Sequence, residues 1–92
     1  MNQFMVMARF IPGTDMAEPF AVIPQEKAQA IALRKEGRIG AIYISLPRQT
    51  VFIETFAEDE SAALATVETL PMARWWELDC FPLAMPDIDE AS

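Results

Sequence analysis

Hydrophobic and polar residues alternate with a period of two in four parts of the chain, which is the pattern of β-strands. These parts are residues 3–10, 39–45, 50–56 and 75–83. The first is apolar on both faces, as is typical of a central strand, and it carries Arg9 on the face of Met5 and Met7. Only residues 46–49 separate the second and third strands, so we expect these two to form a hairpin.

The first helix is predicted over residues 24–36, and both of its ends are marked. Pro24 suits the first helical position and Gly37 the position just past the end, where the backbone turns left-handed. Glu26, Ala30 and Leu33 follow at i, i+4 and i+7. One carboxylate therefore lies on the same stripe as residues that are typical of a core.

A second helix is predicted over residues 59–70, with Asp59 as its N-cap and Pro71 as its end. The linker 11–23 contains Pro12, Gly13 and Pro19, and is interpreted as a loop with a short helical turn near residues 15–20.

The order of elements, β-α-β-β-α-β, predicts an α+β, ferredoxin-like domain over residues 1–92, with residues 86–92 as a loose acidic tail. Such a domain has a four-stranded antiparallel sheet with both helices on one face. The other face is apolar and has no cover within the chain. We therefore expect a homodimer that packs through this sheet face as a dimeric α+β barrel.

Composition narrows the possible partners. The formal net charge is −7, which argues against nucleic acid, and no apolar run is long enough for a membrane span. Cys80 is the only cysteine, so no internal disulfide forms, and together with the lack of a secretion signal this predicts a cytoplasmic protein. The chain has no histidine, which excludes His-based catalysis and most transition-metal sites, and we expect no metal.

A series of short segments follows a distinctive order: Ile11-Pro12, Asp15-Met16, Gln25-Glu26-Lys27, Glu36-Gly37, Val51-Phe52, Leu70-Pro71 and Trp76-Glu77-Leu78-Asp79. Together they resemble the muconolactone isomerase family of dimeric α+β barrel proteins, over nearly the whole chain. The residues after Gly37 depart from the family's pattern.

The resemblance implies an isomerase of aromatic compound catabolism that needs no cofactor and shifts a double bond in a small unsaturated lactone acid. It also implies dimers that assemble into larger rings. Glu26 matches the glutamate of the family's acid-Glu-Lys opening and would be the catalytic base. A carboxylate performs this chemistry in a dry pocket that raises its pKa toward neutrality.

Four further residues are candidates for binding a small anionic or aromatic ligand: Arg9, Lys27, Arg38 and Tyr43. Three of them also have a purely structural alternative. Arg9 could pair with an acidic side chain on a neighbouring strand, Lys27 could be solvated, and Tyr43 could serve packing. Glu26 itself could act as a capping residue in the first turn of its helix.

Two other functions stay open at this point. The chain could keep the barrel without the chemistry, as a small-ligand-binding or assembly protein. It could also be a cofactor-free barrel oxygenase that acts on aromatic or quinone substrates.

Overall fold

Four strands form one antiparallel sheet in a computed structural model that describes residues 1–88. The strands are β1 (Asn2–Phe10), β2 (Ile39–Ser45), β3 (Thr50–Ala57) and β4 (Trp76–Pro82). Their order in the sheet is β2-β3-β1-β4, so the first strand lies between the third and the fourth. This is the ferredoxin-like α+β arrangement that the sequence predicts.

Three α-helices connect the strands: α1 (Ala17–Ala21), α2 (Ile23–Lys35) and α3 (Glu60–Glu68). The predicted N-cap is confirmed, because the Ala62 N–H donates to Asp59 Oδ1 at 2.8 Å. The left-handed residue after α2 is confirmed as well, since Gly37 has a φ of 73°. The helix α2 begins one residue earlier than predicted, so Pro24 occupies its second position.

The core lies between the sheet and the helices. Val6 and Ile53 project from the two central strands and pack in one buried cluster with Leu33 of α2 and Val67 of α3. These residues belong to the even-numbered side of β1 and the odd-numbered side of β3, which are the faces turned toward the helices. Full burial of each such side chain stabilises the fold by about 1.5–3 kcal/mol.

The opposite face of the sheet, called the open face here, has no covering element within residues 1–88. A row of directly paired residues crosses all four strands there, from Tyr43 through Phe52 and Met7 to Asp79. Tyr43 is 61 % exposed, and Phe52 and Met7 are half-buried. The other large apolar side chains of the open face are Met5, Phe56 and Phe81.

A β-bulge interrupts β2 between Ile39 and Ile42. Glu54 of β3 reaches over it, and the Ala41 N–H donates to Glu54 Oε1 at 3.0 Å. Gly40 lies directly beneath this carboxylate, where a Cβ atom would overlap with Glu54 Oε1. The glycine therefore leaves the space in which a side chain from β3 satisfies the backbone of the bulge.

Two predicted boundaries near the end of the chain are wrong. The second helix ends at Glu68, and a 3₁₀ helix (Pro71–Trp75) precedes the last strand, which begins at Trp76. The reason is Pro71, which favours an extended residue before it and suits the start of a new helical turn. Leu70 accordingly has a ψ of 135°.

The predicted tail extends beyond the described part of the chain. Residues 86–88 are exposed and have no regular secondary structure, and residues 89–92 lie outside the described residues. The longest helix within residues 1–88 has 13 residues. At about 1.5 Å per residue it is too short to cross a bilayer core, and no membrane-spanning helix is present in this part of the chain.

Candidate functional site

A cleft of about 640 Å³ opens where the N-terminal part of α2 approaches the β2–β3 hairpin, and it is called the Glu26 cleft here. The 3₁₀ helix and the start of β4 contribute its remaining wall. Most of its lining is apolar, and Glu26 and Lys27 are its charged residues. The lining comprises Phe10, Met16, Phe20, Ile23, Glu26, Lys27, Ala30, Ile42, Ile44, Ser45, Leu46, Gln49, Thr50, Val51, Met72 and Trp76.

Glu26 is half-buried and is held by a long-range contact. The Met72 N–H donates to Glu26 Oε1 at 2.8 Å, across 46 positions of the chain. Burial raises the pKa of the Glu26 carboxyl above its ordinary value of 4.5, and the hydrogen bond from Met72 opposes this effect only in part. No donor within residues 1–88 contacts Oε2, and Glu26 lines the cleft.

The contact with Met72 also shows that the Glu26 side chain does not cap its own helix. The carboxylate satisfies an early N–H of the 3₁₀ helix and no N–H of its own helix, whose N-terminus has no side-chain cap. Glu26 is therefore a link between α2 and the segment that leads into β4. This structural link fixes one carboxylate oxygen and leaves the other without a hydrogen bond within residues 1–88.

Lys27 is the second candidate that the fold brings to this cleft. Its side chain is exposed, and it has no ion pair within 4.0 Å in the described part of the chain. An ammonium group at the mouth of an apolar cleft can bind the carboxylate of a small acid. The neighbouring positions Glu26 and Lys27 thus place an acid and a cation beside one space.

Trp76 is a member of the cleft that sequence reasoning did not identify as a site residue. It is only 7 % exposed, and its Nε1 has no hydrogen-bond acceptor among residues 1–88. Phe10 packs against it edge to face, with ring centroids 6.0 Å apart. The alternation of β4 indicates that Trp76 faces the helices, but an unpaired indole nitrogen is a three-dimensional fact with no sequence signal.

Arg9 lies on the open face, on the other side of the sheet from the core. It lines a separate cleft of about 510 Å³ with Arg48, Phe52 and Met7, together with Ser45 and Thr50. The alternative ion pair is not formed within residues 1–88: Glu77 is opposite Arg9 in the β1–β4 register, yet no acidic oxygen lies within 4.0 Å. The structure therefore does not bring Arg9 together with Glu26.

Arg38 and Tyr43 also lie away from Glu26. Arg38 donates to Thr66 Oγ1 at 2.8 Å and lies 3.8 Å from Glu36, so it connects the end of α2 with α3. Tyr43 is on the open face and lines neither cleft. Of the five residues selected from the sequence, only Glu26 and Lys27 share a cleft. These two are neighbours on one helix, whereas the positions of the other three relative to Glu26 depend on how the elements pack.

The remaining reactive groups have structural explanations. Burial raises the pKa of the Cys80 thiol, and the charges of Glu60 and Asp79 raise it further, which disfavours the thiolate that a nucleophile needs. Within residues 1–88, no three side chains of the kinds that bind metals come together.

Comparison with known proteins identifies the fold. No protein-family model matches the chain, and no curated protein sequence matches it. Among solved structures, the crystal structure of muconolactone isomerase is similar, with a TM-score of 0.74 and 18 % sequence identity. The match covers 98 % of this chain and 96 % of that chain. The predicted fold is thus confirmed: the chain has the α+β fold of muconolactone isomerase over nearly its full described length.

Proposed function

We propose, from the fold shared with muconolactone isomerase and from the Glu26 cleft, that this chain is a cofactor-free isomerase. Its substrate is a small unsaturated carbonyl acid, such as a lactone acid from the breakdown of aromatic compounds. Its reaction moves a proton between two carbons and shifts a double bond. The proposal keeps Glu26 as the catalytic base and Lys27 as a ligand-binding residue.

The observation that carries the proposal is the position of the Glu26 carboxyl. It is half-buried in a cleft with mostly apolar walls, and its burial raises the pKa above the ordinary value. A carboxylate is a stronger base when its pKa lies closer to the working pH. The same carboxyl, once protonated, is a competent acid for returning the proton to another carbon.

In this proposal the two carboxylate oxygens of Glu26 have different roles. Oε1 accepts the hydrogen bond from the Met72 N–H, which fixes the orientation of the carboxylate. Oε2 takes the proton from the γ carbon, at the far end of the conjugated system, and returns it at the carbon next to the substrate carbonyl. Lys27 binds the carboxylate of the substrate at the mouth of the cleft, where both groups remain partly solvated.

The test is the turnover of muconolactone by Glu26→Gln. Glutamine keeps an oxygen that can accept from Met72, but it cannot take up a proton, so we expect the rate to fall by about 10²- to 10⁴-fold. Glu68→Gln is the matched control, since Glu68 is exposed on α3 and lines neither cleft. An equal rate for Glu26→Gln and the wild type, with both folded by circular dichroism, would contradict the proposal.

The proposal includes a homodimer that forms through the open face. Six large side chains support it: Met5, Met7, Tyr43, Phe52, Phe56 and Phe81. They lie, together with the charged residues Glu54 and Asp79, on the face of the sheet that the helices leave uncovered. A second copy, packed sheet against sheet, would bury this surface and enclose the Arg9 cleft between the two subunits.

A second candidate function has its own observation. Arg9 and Arg48 line the open-face cleft, and neither forms an ion pair within residues 1–88. Two free guanidinium groups in an acidic chain favour binding of a small anion without chemistry at Glu26. Stabilisation by a carboxylate ligand that is lost in Arg9→Gln, with no turnover in the wild type, would support this binding function over the isomerase.

A further inference from the structure

The wall of the Glu26 cleft contains a buried donor that the folded chain leaves unused. Trp76 lines the cleft, and its Nε1 is buried without an acceptor among residues 1–88. Buried polar atoms in native proteins almost always have a partner, so each exception calls for an explanation. A phenylalanine or leucine could fill this position without burying an unpaired N–H.

The neighbouring ring is at best a weak acceptor for this donor. Phe10 packs edge to face with the indole, at an interplanar angle of 77°. The ring of Phe10 offers π electrons at best, and these are a weak substitute for an oxygen. An oxygen that accepts from this donor would therefore come from outside the described chain, and the cleft that Trp76 lines is a space that could hold it.

We propose that the Trp76 Nε1–H donates a hydrogen bond to the carbonyl oxygen of the ligand in the Glu26 cleft. This assignment rests on the proposed function and names the group that the ligand must present. When Glu26 removes the proton from the γ carbon of the unsaturated lactone, the C–H electron pair moves into the conjugated system, and the carbonyl oxygen gains negative charge. The indole N–H stabilises this oxygen until the proton is returned at the carbon beside the carbonyl.

Access to the donor requires a small movement. Nε1 is closed to water in the free chain, so a side chain of the lining must turn aside before a ligand oxygen can reach it. Met16 and Met72 both line the cleft, and methionine is unbranched and adapts its shape readily. Because this donor becomes accessible only when the ligand is bound, water is excluded from the place where the enolate oxygen forms.

The inference specifies the class of ligand. The Glu26 cleft offers one carboxyl that exchanges protons, one ammonium at Lys27 and one indole donor, within a mostly apolar lining. A molecule that uses all three has a carbonyl conjugated with an acidic C–H, a separate carboxylate and a compact apolar ring. An unsaturated lactone that carries an acetic acid side chain meets these requirements.

The experiment follows the indole proton of Trp76 in ¹⁵N–¹H spectra of the full chain. The chain has two tryptophans, so Trp75→Phe assigns the two indole signals. Muconolactone is titrated first, and then (2,5-dihydrofuran-2-yl)acetic acid, which keeps the ring and the carboxylate but lacks the carbonyl. We expect a downfield shift of the Trp76 signal with the lactone and no comparable shift with the analogue.

Binding to variants gives a second measurement. Trp76→Phe removes the donor, and we expect it to weaken lactone binding by about five- to tenfold, as for one lost hydrogen bond. Binding of the carbonyl-free analogue should change by no more than about twofold, since no hydrogen bond to it is lost. Trp75→Phe is the matched control, because Trp75 lies in the 3₁₀ helix and does not line the cleft.

Should Trp76→Phe fail to fold, replacement of Trp76 by 3-benzothienylalanine exchanges the N–H for sulfur at nearly constant shape. The assignment is overturned if the Trp76 signal does not move with muconolactone or any of a panel of small keto acids and unsaturated lactones. It is also overturned if Phe10→Leu changes the Trp76 indole signal of the ligand-free chain in the way expected for a lost N–H···π contact with the Phe10 ring. A shift of the Trp76 signal with unchanged turnover in Glu26→Gln would keep this assignment and refute Glu26 as the catalytic base. No shift, together with a lost turnover in Glu26→Gln, would overturn this assignment and keep Glu26 as the base.

Discussion

At the scale of single residues, Glu26 makes a prediction about stability that is independent of catalysis. Its pKa is raised in the folded chain, so the folded state binds more protons than the unfolded state at pH values between the ordinary 4.5 and the raised value. The free energy of unfolding that this group contributes is fully present below pH 4.5 and is lost as the pH rises through the raised value.

We therefore expect Glu26→Gln to be more stable than the wild type at neutral pH. The advantage should shrink as the pH falls and should vanish below the ordinary pKa of 4.5, where the wild-type carboxyl is neutral as well. Urea unfolding of both proteins between pH 4 and pH 8 measures this difference. A difference that stays constant over this range would show that burial of the charged carboxylate carries no cost in the folded chain.

The same residue shows how far sequence reasoning reaches at this scale. The spacing of Glu26, Ala30 and Leu33 correctly indicates one stripe of α2, since Glu26 and Ala30 both line the cleft and Leu33 is buried. The partner of the carboxylate, the Met72 N–H, could not be predicted, because it depends on a 3₁₀ helix that follows Pro71. Local patterns fix which face a side chain occupies, and only the assembled fold fixes what it touches.

At the scale of elements, the bulge of β2 depends on Gly40 and Glu54. We expect Gly40→Ala to destabilise the fold by about 1–3 kcal/mol, because its methyl group competes with the Glu54 carboxylate for one space. Chemical unfolding measures the loss. The double variant Gly40→Ala, Glu54→Ala should be less destabilised than the two single losses predict together, since the overlap is then absent.

A control and a contrary outcome complete this test. Gly13→Ala is the comparison, because a Cβ at Gly13 meets no atom within 4 Å and only its left-handed φ of 88° disfavours a side chain. If the effects of the two mutations at Gly40 and Glu54 were simply additive, the carboxylate would not be what restricts Gly40.

The bounds of an element are predicted well where particular residues, such as proline or glycine, mark its ends. They are predicted poorly where no such residue does. The strand β2 (Ile39–Ser45) has the predicted bounds, and α2 is displaced by a single residue at each end. The 3₁₀ helix before β4 is missed, because the alternation that includes Trp75 continues smoothly into the strand. Periodicity cannot separate a strand residue from the last residue of a turn that leads into it.

At the scale of the whole molecule, the open face predicts the oligomeric state. We expect a dimer by light scattering at micromolar concentrations, and a monomer for Met7→Glu. Met7 is central on the open face, opposite Phe52 and Asp79, so a glutamate there would place an unpaired charge in the interface. The helix-covered core is on the other side of the sheet and should keep its fold.

Ile31→Glu is the matched control, because Ile31 is an exposed apolar residue on α2 and not on the open face. This variant should remain a dimer. A monomeric wild type at high concentration would contradict the interface, and a dimer that persists in Met7→Glu would place the contact on another surface.

The rim of the Glu26 cleft has a practical consequence for any ligand screen. Its entrance is apolar in the native chain, because three large apolar residues line it and are more than half exposed: Phe20, Ile44 and Leu46. Environment-sensitive dyes such as anilinonaphthalene sulfonate bind surfaces of this kind. In a thermal unfolding experiment with such a dye, the fluorescence would then be high before unfolding begins. A compound that displaces the dye would lower this fluorescence and could be mistaken for one that changes the melting temperature. Far-ultraviolet circular dichroism follows the same transition without a dye in the cleft.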